Sequence, residues 1–155
     1  NFYKKVKSIV FKSPNRYNDK GTNYLDKEFN RSAWTYNQEI SGYGDGGVEE
    51  GIKNSLLYMK KLHRLLEENE IKLSVAVYPW PGQLLHDQEN SLQVKIWKKF
   101  CENRCSQFIN YFPVFFDLLK KQSKKQVIEK FYIPGDVHFN ANGNKIIADF
   151  FVKNF

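Results

Sequence analysis

Apolar residues recur along this chain with more than one period, and the switches between periods predict its elements. Phe2, Val6, Ile9 and Val10 suit a short amphipathic helix over residues 2–11. Lys12 to Gly51 is polar, aromatic and rich in Asn and Gly, which reads as a long loop or irregular insertion that could cover a cleft. From Val48 to Asn69 the helical period is strong, with Ile52, Leu56, Met59, His63 and Leu66 on one stripe. Ile71 to Tyr78 is a nearly continuous apolar run, as expected of a parallel strand covered on both faces, and Pro79-Trp80-Pro81-Gly82 stops it. Residues 90–105 read as a helix with Leu92, Ile96, Trp97, Phe100 and Cys101 inward. Phe108 to Phe112 reads as a second parallel strand ended by Pro113, with a helix through Leu118 and Leu119 behind it. Finally, Gly143, Ile146, Ile147, Phe150 and Phe151 recur at helical spacing after Asn140 or Asn142, either of which can cap a helix. Helix followed by buried strand is the rhythm of an α/β fold.

Composition narrows the class. A chain of 155 residues, 41% hydrophobic and 16% aromatic, is one domain with enough apolar surface for a core, and no window is long and apolar enough for a membrane span. The net charge of +7 comes largely from lysines on predicted helices, where solvated faces need charge, and no nucleic-acid motif accompanies it. The chain begins at Asn1, which suggests the C-terminal portion of a longer polypeptide.

The chemistry concentrates in one stretch, Ile133-Pro134-Gly135-Asp136-Val137-His138-Phe139-Asn140-Ala141-Asn142-Gly143. Pro134-Gly135 predicts a turn, so Asp136 and His138 sit on a short connection before the last helix. Residues two apart on an extended backbone point to the same side, which would let the carboxylate hold the imidazole. That is half of a Ser-His-Asp apparatus.

The run Asp-x-His-x-Asn-x-x-Gly before an apolar helix resembles the last motif of the SGNH/GDSL hydrolase superfamily, with Asp136 and His138 at the catalytic positions. Its one-residue spacing is similar to that of some polysaccharide O-acetylating relatives, which hints at carbohydrate substrates. The resemblance covers roughly residues 48–155. It implies the closing part of a partial flavodoxin-like three-layer sandwich with parallel strands, the first strands being absent, and residues 1–47 as an insertion or lid region. It implies a serine esterase or O-acyl (acetyl) transferase acting on small-molecule or carbohydrate esters, with no cofactor and no metal. Tyr78, Trp80 and Gln83, at the C-terminal end of the first strand, would line the substrate pocket. The family's Gly-Asp-Ser nucleophile motif is absent between Asn1 and Phe155, so the chain alone is expected to be a weak catalyst or none.

Other candidates have blander readings. Ser41, in Ile-Ser-Gly-Tyr, is the best internal alternative for a nucleophile, yet glycine beside serine usually means a turn. His63 reads as a partly buried helix residue without metal partners. Cys101 and Cys105 read by default as free thiols on one helical face, the alternative being a bridge formed in an oxidising compartment. Two other function classes fit the same composition: a carbohydrate-binding module without a nucleophile, and a basic domain that binds a polyanion.

Overall fold

The computed structural model describes residue 25, residues 31–40 and residues 44–155. The expected helix over residues 2–11, most of the expected insertion and Ser41 therefore lie outside the described residues. What is described is a mixed α/β arrangement, with two parallel strands in an open sheet and six helices.

A short 3-10 turn, Ala33–Thr35, precedes α1, Gly47–Glu68. Glu49 and Glu50 in the first turn of α1 complement its dipole. The predicted stripe of α1 is half-buried, while Tyr58, Leu62 and Leu65 on an adjoining stripe are exposed.

The first strand, β1, spans Ser74–Val77 and pairs in parallel with β2, Gln107–Asn110, from Ser74 opposite Gln107 to Val77 opposite Asn110. Between them run α2, Pro81–His86, and α3, Leu92–Cys101. Coverage of both sheet faces, expected from the apolar run, does not hold for β1. Val77 is buried, but Ser74 and Ala76, which point to the other face, are exposed.

Pro113 also plays a different part from the one expected. It stands in the first turn of α4, Phe112–Leu119, where a missing N–H costs nothing, and so opens a helix. Behind it, α5 (Lys124–Phe131) is fixed by a reciprocal cap. Gln126 N–H donates to Ser123 Oγ at 3.3 Å, and Ser123 N–H donates to Gln126 Oε1 at 2.9 Å. The last helix, α6, is Ala141–Asn154.

The core falls into two linked clusters. Val77, Val94 and Phe112, with Trp97 and Phe108 against them, seat α3 and α4 on one sheet face. Leu84, Phe115, Val127, Ile128, Phe131 and Tyr132 join α2, α4 and α5, and Ile146 and Ile147 of α6 pack onto them. Phe116 touches both clusters. Phe115 is fully buried at their centre, where truncation to Ala would cost about 3–5 kcal/mol.

The default reading of two free thiols is corrected: Cys101 and Cys105 form a disulfide. The helix stops at Cys101 and does not run on to residue 105. Arg104 and Cys105 N–H groups both donate to the Cys101 carbonyl, at 3.1 and 3.2 Å, and this turn brings the sulfurs together. Among the described residues, no helix is long and apolar enough to cross a membrane.

Candidate active site

The turn that carries Asp136 and His138 is held at both ends. Tyr132 and Phe139 form an antiparallel bridge, and Ile133 N–H donates to His138 O at 3.0 Å. Within it, Asp136 N–H donates to Ile133 O at 3.0 Å across Pro134-Gly135. Gly135 has φ +77°, the left-handed conformation that a turn with Pro at its second position places at the third.

Asn140 clamps the two helices that flank this turn. Its Oδ1 accepts from the N–H groups of Asn142 and Gly143, at 2.9 and 3.1 Å, which caps α6. Its Nδ2 donates to the carbonyls of Lys130 and Tyr132, at 3.0 and 3.1 Å, which satisfies the end of α5. Gly143 lies where α6 meets that end, and a Cβ there would overlap the Phe131 carbonyl and the Phe139 side chain.

Phe139 is the wedge beneath the site. Its ring stacks on Phe115 at 5.3 Å and meets Tyr132 at 4.9 Å and Tyr78 at 5.1 Å. The buried Tyr132 hydroxyl donates to Pro79 O at 2.6 Å. Burial pushes this phenol well above its usual range, with a lesser contribution from Tyr78, so it remains a neutral donor. Through that bond the turn is tied to the C-terminal end of β1.

The two predicted side chains do meet. His138 Nδ1 lies 2.7 Å from Asp136 Oδ1. They meet in a bend and not on the extended backbone expected from their spacing. The same Asp136 oxygen accepts the N–H groups of Val137 and His138, at 2.6 and 3.4 Å, and so wraps around the chain to reach the ring. The His138 hydrogen bond, then that of Val137, holds the Asp136 carboxyl below its usual range. An ionised carboxylate only accepts, so Nδ1 carries the proton and neutral His138 keeps its lone pair on Nε2. No hydrogen bond to Nε2 occurs among the described residues. The ring is 72% exposed, so its Nε2 is open to solvent and chemically able to take up a proton.

The residues expected around the pair divide. Tyr78 is 37% exposed at the rim, its ring against Phe139, and Trp80 is half-buried at the start of α2. Gln83 is turned to the interior. It is 1% exposed, with its Oε1 accepting Trp80 N–H at 2.9 Å and its Nε2 donating to Gln93 Oε1 at 2.9 Å. It is a strut for the loop that bears Trp80. His63 is a half-buried helix residue 3.9 Å from Glu67.

No group of three or more His, Cys, Asp or Glu side chains among the described residues is arranged to hold a metal ion. The sequence reading missed Asn140 as a clamp on two helices, Tyr132 as a tie to β1, and Gly143 as a close approach. Only the capping role of Asn140 had a local sign, Asn followed by an apolar helical period. No family model, no curated protein and no solved structure matches the chain.

Proposed function

We propose that the Asp136–His138 turn is the acid–base part of a serine-type acyl-transfer site, in an esterase or O-acyltransferase of SGNH/GDSL kind. In this reading, further parallel strands beside β1 complete a flavodoxin-like sandwich and bring a serine to His138. As that Oγ attacks an ester carbonyl, Nε2 takes its proton. The tetrahedral oxyanion then collapses, the C–O bond to the alcohol breaks, and Nε2 returns the proton to the leaving alkoxide. Water or a sugar hydroxyl, deprotonated in turn by Nε2, then attacks the acyl-enzyme, the bond from the acyl carbon to the serine Oγ breaks, and Nε2 returns the proton to that Oγ. Asp136 keeps the ring in the required tautomer and stabilises the imidazolium. Tyr78, its ring against Phe139, offers an aromatic face against which a sugar ring can lie.

The observation that carries this reading is the 2.7 Å contact of Nδ1 with an ionised carboxylate, on a ring whose other nitrogen is open. The described residues lack the serine and its oxyanion donors, each donor contributing about 3–4 kcal/mol of transition-state stabilisation, so they supply little turnover alone. The test is hydrolysis of p-nitrophenyl acetate by a polypeptide that contains this chain together with a serine-bearing strand. His138→Ala should lower kcat by roughly 10³-fold or more. Unchanged turnover in that variant removes the reading.

A further inference from the structure

Tyr132 is joined to the catalytic turn through its main chain. Its N–H donates to Ile128 O at 3.0 Å, its carbonyl accepts from Asn140 Nδ2 at 3.1 Å, and it forms the bridge with Phe139. Ile133, the next residue, donates to His138 O. A shift of Tyr132 is therefore passed to the residue that carries the imidazole. The Tyr132 ring is packed without help from its hydroxyl, against Phe115 at 5.9 Å and Phe139 at 4.9 Å, and the residue is 1% exposed. What the hydroxyl adds to that packing is direction.

The partner of the hydroxyl stands at a break in the backbone pairing. The ladder ends at Val77, whose carbonyl accepts Tyr111 N–H just past β2 at 2.9 Å, and the first carbonyl used by α2 is that of Trp80, which accepts from Gln83 and Leu84. Pro79 lies between the two, fully buried. Neither strand nor helix supplies its carbonyl with a donor, and Tyr132 O–H does so at 2.6 Å. Among the described residues, no other hydrogen bond joins residues 131–140 to residues 74–80. The other contact between these segments, Tyr78 against Phe139, is apolar and so does not by itself fix a direction.

We infer that the Tyr132 hydroxyl is a positioning group for His138: by holding the Pro79 carbonyl, it sets how far the imidazole stands from the C-terminal end of β1. The inference rests on the acyl-transfer reading, in which the serine arrives on a strand beside β1 and so at that same end of the sheet. A base displaced by about 1 Å from its nucleophile can lose on the order of 10²-fold in rate.

Tyr132→Phe keeps the ring and removes only the hydroxyl. In the serine-bearing polypeptide it should lower kcat for p-nitrophenyl acetate at least about tenfold with KM unchanged. A p-aminophenylalanine at position 132, which restores a donor on the same ring, should recover most of that loss. In the 155-residue chain, which needs no serine for the measurement, nuclear Overhauser contacts between the Tyr78 and Phe139 rings should weaken in Tyr132→Phe and return with the amino group, at unchanged circular dichroism. A lower melting temperature with kcat and ring contacts intact overturns the inference, because the hydroxyl then only supports the fold. So does a loss of kcat that the amino group does not rescue, or a Tyr132→Phe protein that does not fold. His138→Ala, run alongside, separates the two readings. Unchanged turnover in that variant removes the acyl-transfer reading, and the ring contacts then still decide whether the hydroxyl sets the place of the turn.

Discussion

At the scale of single residues, the proton on His138 is placed by its neighbour. Asp136 holds its charge to lower pH than an ordinary carboxyl because the His138 ring and Val137 N–H donate to it. Asp136→Asn removes that bias, since a carboxamide can donate to Nδ1 and leave the proton on Nε2. The variant should stay folded and lose roughly 10²- to 10⁴-fold in kcat in the serine-bearing polypeptide. Nitrogen-15 shifts of the His138 ring should report the change of tautomer, and an unchanged tautomer would contradict the assignment. The linkage has a definite sign. A carboxyl lowered in the native state stabilises the fold above its unfolded value, near the ordinary 3.8, and that contribution is lost as pH falls through the lowered value. Melting temperature should therefore drop more steeply below about pH 4 in the wild type than in Asp136→Asn. The pair was legible from spacing alone because its partners are two residues apart. Gln83 was not, because Gln93, which receives its Nε2, is brought back by a turn that local sequence does not announce.

At the scale of elements, two junctions set where the site sits. The first is the approach of α6 to the end of α5. Gly143→Ala would force a Cβ onto a backbone carbonyl, which cannot move as a side-chain tip can. The expected loss is about 1–3 kcal/mol despite the better helix propensity of alanine, read as a lower denaturation midpoint at unchanged m. The second junction is the exit of α3 into β2, which the Cys101–Cys105 bridge closes. Chain entropy for so short a loop gives roughly 2 kcal/mol, so reduction should lower the melting temperature by roughly 4–8 °C. A melting curve indifferent to reductant would show that the bridge does not form in solution. Elements with long periods were the legible ones: α1 was read to within a residue at each end, and α6 by its period and its Asn140 or Asn142 start. Shorter ones were read by the wrong signal. Pro113 looked like the stop of a strand when it was the start of a helix, and α5 showed only Val127, Ile128 and Phe131 between lysines. Its Ser-x-x-Gln cap was present in the sequence and was the stronger sign.

At the scale of the molecule, the sheet is finished over β2 and open over β1. Ile109 of β2 is buried, and the Tyr111 ring just beyond it meets Phe150 of α6 at 5.3 Å. Ala76, registered with Ile109, is exposed on the same face. The apolar run from Ile71 to Tyr78 could not reveal this. It records what a strand is suited to touch, whereas exposure depends on elements distant in sequence. A small apolar residue facing water on a parallel strand is what the proposed missing strands and their helix would cover. Ala76→Lys separates the two situations. In the 155-residue chain the lysine points to solvent, and stability should stay within about 0.5 kcal/mol. In the serine-bearing polypeptide the same ammonium would be buried without a partner, at a cost of at least about 2 kcal/mol, with ester turnover falling alongside. Equal, small effects in both would mean that β1 faces water in either setting, and the serine would then have to reach His138 by a route other than a strand laid against β1.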